Sequence, residues 1–99
     1  MSPTYEVPSS VAREYKRLDA SAQRAFDRAR QQLVAALRTS APDFPPHLRG
    51  KRVQGHPGVW ELTFAADGRA TFAYGDEVVA GEAHVVWRRV GDHSVLDRP

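Results

Sequence analysis

The sequence predicts an α+β fold, in which two helices pack on one face of a mostly antiparallel four-stranded sheet and leave the other face open. Three observations lead to this class. One long segment carries apolar residues at helical spacing, a proline-rich stretch then ends the helical half, and alternating segments rich in valine and aromatic residues fill the second half. The predicted element order is therefore β-α-α-β-β-β.

Size and composition indicate one globular domain, residues 1–99, with 41% apolar and 26% charged residues. Because the chain has no run of about 18 apolar residues and does not start like an export signal, we expect a cytoplasmic protein that does not enter membranes. The absence of cysteine excludes disulfides and thiol nucleophiles.

The first half of the chain predicts a strand and two helices. Thr4 to Val7 is a short strand that Pro8 ends, and Ser9 or Ser10 can cap the first helix. The stretch from Asp19 to Ser21 separates it from a second helix, which runs to about residue 39. The helical spacing of its apolar residues is the strongest signal in the chain, at Ala22, Ala25, Phe26, Ala29, Leu33, Ala36 and Leu37.

Charge is uneven, although the net charge is only +2. Residues 1–50 hold eight Lys and Arg against five Asp and Glu. The basic helical surface is therefore either a solvated face or a contact for phosphates or an acidic partner. Three prolines exclude a helix over residues 41–46, and we interpret this segment as the linker between the helices and the sheet. Residues 47–58 are predicted to form a basic loop.

A hairpin follows, from an alternating strand at Val59 to Ala65 and a turn around Asp67-Gly68. A two-residue turn would bury Arg69 among aromatic residues. A three-residue loop of residues 66–68, with Gly68 as a left-handed bulge, avoids this and is the register we predict. It places Ala70, Phe72 and Tyr74 with Trp60, Leu62 and Phe64, and it collects Glu61, Thr63, Arg69 and Thr71 on the opposite, polar face.

The last predicted strand, Ala83 to Val90, is apolar on both faces, as a central strand would be. Gly91 then allows the chain to leave the sheet and present His93 on a rigid support. Imidazole titrates near neutrality, so this placement indicates proton transfer. The remaining histidines lack metal-ligand spacing, and no phosphate-binding or dinucleotide glycine pattern occurs, so we expect neither a metal nor a cofactor.

Several segments carry a family resemblance through their order and spacing. They are Tyr5-Glu6-Val7, Ala12 to Leu18, the long helix, His47 to Gly50, Gly58 to Leu62, Asp67 to Tyr74 and Arg89 to His93. Together they resemble toxins of the RelE/ParE superfamily from bacterial type II toxin-antitoxin systems, over nearly the whole chain. The closing Gly91-Asp92-His93 is similar to the ending of the YafQ-like and YoeB-like branches.

The resemblance implies a ribosome-dependent endoribonuclease, an mRNA interferase that cleaves without a metal. The implied partners are the ribosome, mRNA and a cognate antitoxin, with which the toxin would form a hetero-oligomer. Arg69 matches the arginine that contacts the scissile phosphate, and His93 matches the C-terminal catalytic residue. The implied RNA-binding residues are Lys51 and Arg52 in the basic loop, together with Arg88 and Arg89 ahead of the Gly-x-His ending.

These residue types suit cleavage by a neighbouring 2′-hydroxyl, which needs a base, an acid and a cation on the phosphate. His93 would be the acid, Arg69 the phosphate ligand and Glu61 the base. Relatives usually carry Lys or Arg where this chain has Glu61 and Thr63. Two alternatives therefore stay open: a ParE-like or catalytically degenerate member that inhibits a protein target such as DNA gyrase, and a non-toxic α+β interaction domain.

Overall fold

The computed structural model describes residues 3–38 and 51–99 and confirms the α+β class. Within these two ranges the chain forms five strands, two α-helices and a C-terminal 3₁₀ helix. In chain order these are β1 (Thr4–Glu6), α1 (Ser9–Arg17), α2 (Ala20–Leu37), β2 (Lys51–Arg52), β3 (Val59–Thr63), β4 (Gly68–Gly75), β5 (His84–Asp92) and the 3₁₀ helix (His93–Asp97). No helix within the described residues is long and apolar enough to cross a membrane.

The two α-helices begin in different ways. The side chain of Asp19 caps α2 by accepting a hydrogen bond from the backbone N–H of Ala22 at 2.8 Å. The serine cap predicted for α1 is wrong. Ser9 is already helical, Pro8 takes the cap position, and its carbonyl accepts from the N–H groups of Val11 and Ala12. Proline suits this position because its fixed φ is compatible with entry into a helix.

The sheet has the strand order β1-β5-β4-β3-β2, with β1 parallel to β5 and every other pair antiparallel. Four of these strands correspond to the predicted ones. The fifth, β2, is a two-residue edge strand within the passage predicted to be a loop. The predicted proline-rich linker at 41–46 lies outside the described residues. His84 helps to hold β1 in place, since its Nδ1 is 2.7 Å from the Thr4 hydroxyl oxygen.

The predicted faces of the hairpin are confirmed, although the turn itself differs. Leu62 pairs with Ala70, so the apolar residues of both strands share one face. The loop contains residues 65–67, and Gly68 does not have a positive φ, so the predicted left-handed bulge is wrong. Gly68 is needed for space, because a Cβ there would lie 2.4 Å from Cε2 of Phe64.

The core lies between the helices and the apolar face of the sheet. Phe26 of α2 is its centre, with ring centroids 5.2 Å from Trp87 and 5.5 Å from Phe64 in edge-to-face contacts. Buried residues from α1, α2 and three strands complete it: Val11, Ala29, Leu33, Leu62, Ala70, Phe72, Val85 and Val90. The helices thus form one backing layer behind the sheet.

The end of the chain covers part of the face opposite the helices. β5 continues through Gly91 to Asp92, so the predicted departure at Gly91 comes one residue later. The 3₁₀ helix then packs on β4 and β5, with Val95 so close that a Cβ at Gly91 would lie 3.0 Å from its Cγ1. The second face of the sheet is therefore open only in part.

Candidate functional site

The predicted acid and phosphate ligand meet at one end of the sheet. Gly68 pairs with Asp92 and Arg69 pairs with Gly91, so the β3–β4 loop lies beside the end of β5. Asp92 leads directly into the 3₁₀ helix that starts at His93. This arrangement brings His93, Arg69 and the loop residue Asp67 together on the rim of the molecule.

His93 is hydrogen-bonded through Nδ1 to Oδ1 of Asp67. The side chains are 72% and 65% exposed, so both remain accessible to a ligand. The hydrogen bond to Asp67 and the negative charge of that carboxylate raise the pKa of His93 above its ordinary value, Asp92 acts in the same direction, and Arg69 opposes them. At neutral pH His93 is therefore protonated more often than a free imidazole.

Asp92 fixes the backbone that leads to His93. Its Oδ1 accepts hydrogen bonds from both the hydroxyl and the backbone N–H of Ser94, the latter at 2.9 Å. The bond from the Ser94 hydroxyl, followed by the bond from the N–H, lowers the pKa of Asp92. A charged Asp92 thus caps the 3₁₀ helix over the whole neutral range and keeps His93 at its first position.

Arg69 is partly used by its own hairpin. Its Nη1 donates to the carbonyl oxygens of Ala65, Ala66 and Gly68, at 3.3, 3.4 and 3.0 Å. All three bonds use the same nitrogen, and Nε and Nη2 carry none of them. The guanidinium therefore stiffens the loop that holds Asp67 and retains donors directed elsewhere.

Glu61 does not join this group at the rim. It lies in the middle of β3, opposite Thr71, and is only 6% exposed. Thr71 is fully buried, and its hydroxyl has no hydrogen-bond partner in the part of the chain that the structure describes. The predicted polar face exists, but its centre is covered, and the exposed chemistry lies at the end with His93.

The four other predicted RNA-binding residues are dispersed. Arg88 donates through Nε and Nη2 to the carbonyl oxygen of Pro99, at 3.3 and 3.1 Å. Arg89 forms an ion pair with Glu14 and donates to the carbonyl of Arg98. Both are thus engaged inside the chain.

Lys51 and Arg52 form the edge strand β2, three strands away from β5. The guanidinium carbon of Arg52 lies 5.4 Å from the centroid of the Trp60 ring, a cation–π contact. Trp60 pairs with Arg52 and lies on the face that packs on the helices, so Arg52 faces away from Arg69. The structure does not bring these two residues to His93.

An open cleft of about 590 Å³ adjoins the rim, between the α1–α2 turn, the β3–β4 loop and the end of β5. Ligand-binding clefts typically measure roughly 300 to 1,000 Å³. Its lining combines apolar groups such as Leu18 and Phe64 with the charged groups Arg17, Asp67 and Asp92.

Residues 3–38 and 51–99 contain no group of three or more histidine and acidic side chains that could hold a metal ion.

Asp67 is the functional residue that sequence reasoning missed. In the sequence, Asp67-Gly68 is a turn signal, and a turn explains the aspartate completely. Only the pairing of β4 with β5 brings this turn beside a residue 26 positions further along the chain. The available signal was the predicted hairpin register together with a terminal strand that ends next to it.

No protein-family model and no curated protein sequence matches the chain. Solved structures do match. A YoeB/ParE toxin from Agrobacterium tumefaciens superimposes with a TM-score of 0.66 at 17% identity, covering 91% of this chain and 98% of the other. A copper-bound mutant toxin from Helicobacter pylori gives a TM-score of 0.64 at 16% identity, covering 95% and 98%. The chain therefore shares the fold of these toxins over almost its full length.

Proposed function

We propose that this protein is the toxin of a type II toxin-antitoxin system and a member of the RelE/ParE superfamily. Two independent lines support the proposal: the fold shared with the two toxin structures, and the order of sequence segments that resembles the same superfamily. A cytoplasmic toxin of this kind is held inactive by a cognate antitoxin, with which it forms a hetero-oligomer.

We propose further that the toxin acts as a metal-independent endoribonuclease on mRNA bound to the ribosome. The observation that carries this proposal is an exposed histidine, His93, paired with Asp67 beside Arg69. An accessible imidazolium next to a guanidinium is suited to a phosphodiester, because one group can supply a proton and the other can neutralise charge.

In the proposed reaction the 2′-oxygen of the substrate attacks the adjacent phosphorus and the bond from phosphorus to the 5′-oxygen breaks. His93 donates its proton to the departing 5′-oxygen, which leaves a 2′,3′-cyclic phosphate and a 5′-hydroxyl. The free nitrogens of Arg69 bind the crowded phosphate. Asp67 holds the imidazolium in its charged form until the proton is transferred. The proton of the 2′-hydroxyl goes to a base, a role for which Glu61 stays a prediction.

Basic side chains away from His93 are proposed to bind further phosphates of the RNA. Arg52 and Lys51 at the sheet edge would contact phosphates outside the cleaved bond. Arg88 is exposed and its bonds to Pro99 use Nε and Nη2, so its Nη1 would be a further contact. Arg89 fits this role less well, since its guanidinium is engaged with Glu14 and the Arg98 carbonyl.

Expression of the wild-type chain, His93→Ala and Arg69→Ala in a bacterial host tests the proposed activity. We expect growth arrest and new RNA 5′ ends with the wild type, and a loss of cleavage of about 10²- to 10⁴-fold for His93→Ala. For Arg69→Ala we expect a loss of about 10²- to 10³-fold. His56→Ala removes another exposed histidine, in the loop between β2 and β3, and is the matched control.

Equal toxicity of all four chains would contradict the nuclease proposal. The ParE-like alternative, inhibition of a protein target such as DNA gyrase by binding, is favoured by the burial of Glu61, which leaves the proposed base covered. It predicts DNA damage without new RNA 5′ ends in cells that express any of the four chains.

A further inference from the structure

Among the described residues, the far half of β5 has no strand partner on the side of β1. β1 pairs with β5 only at His84, Val85 and Val86, and the chain then enters α1, which packs along the remaining part of that edge. An unpaired backbone N–H group in such a position costs free energy unless another group accepts its hydrogen bond. Glu14 of α1 supplies the acceptor, since its Oε1 lies 3.3 Å from the backbone nitrogen of Val90.

The other oxygen of the same carboxylate binds Arg89. Nε and Nη2 of Arg89 lie 2.9 and 2.8 Å from Oε2 of Glu14, a charge-assisted contact between side chains that are 35% and 19% exposed. The remaining nitrogen, Nη1, donates to the carbonyl of Arg98 at 2.8 Å. Arg89 therefore connects α1 directly to the backbone that follows the 3₁₀ helix.

A short element joins these contacts to His93. The 3₁₀ helix spans only His93–Asp97, so Arg98 and His93 lie at its two ends. One end is attached to Glu14 through Arg89, and the other end is attached to the hairpin through Asp67. Arg88, through Pro99, and the buried Val95 also hold this segment, so loss of the Arg98 bond would loosen one end of the helix. The imidazole would then be held against Asp67 less of the time.

We propose that Glu14 is a positioning residue for His93, acting through Arg89 and the carbonyl of Arg98. In this role Arg89 binds within the chain and does not contact RNA. The catalytic consequence rests on the proposed nuclease function, whereas the structural consequence does not. The charged groups that act on the pKa of His93 are Asp67 in the hairpin loop, Asp92 in β5 and Arg69 in β4, and a Glu14 substitution alters none of these residues.

The first test is Glu14→Gln in the full chain. Glutamine keeps the shape and an acceptor for the Val90 N–H but loses the ion pair with Arg89. We expect NMR titration of the His93 ring to give a lower pKa than in the wild type, because the contact with Asp67 is formed less of the time. We also expect kcat for RNA cleavage to fall about 10- to 100-fold with little change in KM, as misplacement of a catalytic group predicts.

Two further variants make the test decisive. Arg89→Lys keeps a cation beside Glu14 but removes the Nη1 bond to Arg98, so we expect the same change at His93 even if Glu14→Gln fails to fold. Glu82→Gln makes the same charge change ahead of β5, away from the 3₁₀ helix, and is expected to leave both readouts at wild-type values. A wild-type His93 titration in Arg89→Lys would overturn the proposal.

The two proposals fail differently. If the wild-type chain cleaves no RNA while Glu14→Gln and Arg89→Lys still shift the His93 titration, the nuclease function is wrong and the positioning role of Glu14 stands. If the wild type cleaves RNA and both variants match it in kcat and in His93 titration, Glu14 has no such role and the nuclease function stands.

Discussion

At the scale of single residues, Asp67 and Arg69 belong both to the β3–β4 turn and to the candidate site around His93. Arg69 donates to three carbonyl oxygens of the β3–β4 loop and thereby fixes the segment that holds Asp67. Asp67 in turn sets the protonation of His93. Because both members of this pair are largely exposed, solvent screens their attraction and the pair contributes little to stability. Its effect on His93 is a raised pKa, which favours the charged form of the imidazole.

Asp67→Asn tests this role through pH dependence. Asp67 raises the pKa of His93, so we expect the substitution to lower the pKa of the ring toward its ordinary value of about 6.5. If His93 is the proposed acid, it must be protonated to act, and we expect cleavage to decline as pH rises through that pKa. In Asp67→Asn the decline is expected at lower pH, measured by NMR titration and by the pH–rate profile.

Asp76→Asn, which changes an exposed carboxylate between β4 and β5, is the control for loss of charge.

The pH dependence of the free energy of unfolding follows from the same raised pKa of His93. The stabilisation by the Asp67–His93 pair is fully present below the unfolded pKa of His93 and disappears as pH rises through the folded pKa. An unchanged His93 titration in Asp67→Asn would show that the contact is not formed in solution.

At the scale of elements, local chemistry explains where α2 begins and why the hairpin has its faces. Asp19 accepts from the Ala22 N–H and satisfies one of the donors that every helix leaves unpaired at its start. In the hairpin, one register would bury the charge of Arg69 among aromatic residues, and the free energy of burying that charge excludes it. The apolar residues of both strands must therefore share a face. Both features are local, and both are visible in the sequence.

Asp19→Ala removes the cap of α2. We expect the free energy of unfolding to fall by about 1 kcal/mol, as is usual for loss of an N-cap side chain, measured by urea denaturation. Asp19→Asn retains an oxygen acceptor and is expected to lose less. Ser21→Ala, at an exposed position in the first turn, is the control. Equal losses for Asp19→Ala and Asp19→Asn would show that the side-chain cap is not what stabilises the helix.

At the scale of the whole molecule, the core and the candidate site lie in different places. The helices and the apolar face of the sheet form the core, whereas the rim with His93 belongs to the hairpin loop and the C-terminal segment. Exposed polar groups add little stability, so the fold depends on the core. The rim can change without loss of the fold, as expected for a fold shared by proteins with little sequence identity.

Leu33→Ala tests this separation. Leu33 is 1% exposed in the second half of α2, and its truncation is expected to cost about 2 to 5 kcal/mol of unfolding free energy. Val78→Ala, at a side chain that is 68% exposed, is expected to stay within about 0.5 kcal/mol of the wild type. Chemical denaturation followed by circular dichroism measures both. A loss below about 1 kcal/mol in Leu33→Ala would contradict the placement of the core.

The sequence predicted the fold better than the site for a physical reason. The two α-helices and the strands β3 and β4 repeat their apolar residues with a clear period, and β5 contains a short continuous apolar run. Both patterns are local. The two-residue strand β2 is too short to carry one, and it exists because β3 offers a free edge. Glu61 was predicted as an accessible base from its face alone, but the packing that buries it involves other parts of the chain.

The α+β class, the faces of the hairpin and the histidine at the end of the last long strand could all be predicted from the sequence. Which charged groups meet at that histidine depends on the tertiary structure. Asp67 and His93 are 26 positions apart, and Glu14 and Arg89 are 75 positions apart. The periodicity of apolar residues follows from the local geometry of a helix or strand and can be recognised in a short segment. A hydrogen bond needs a donor–acceptor distance within a few tenths of an ångström of its optimum, and that distance depends on how all the elements pack.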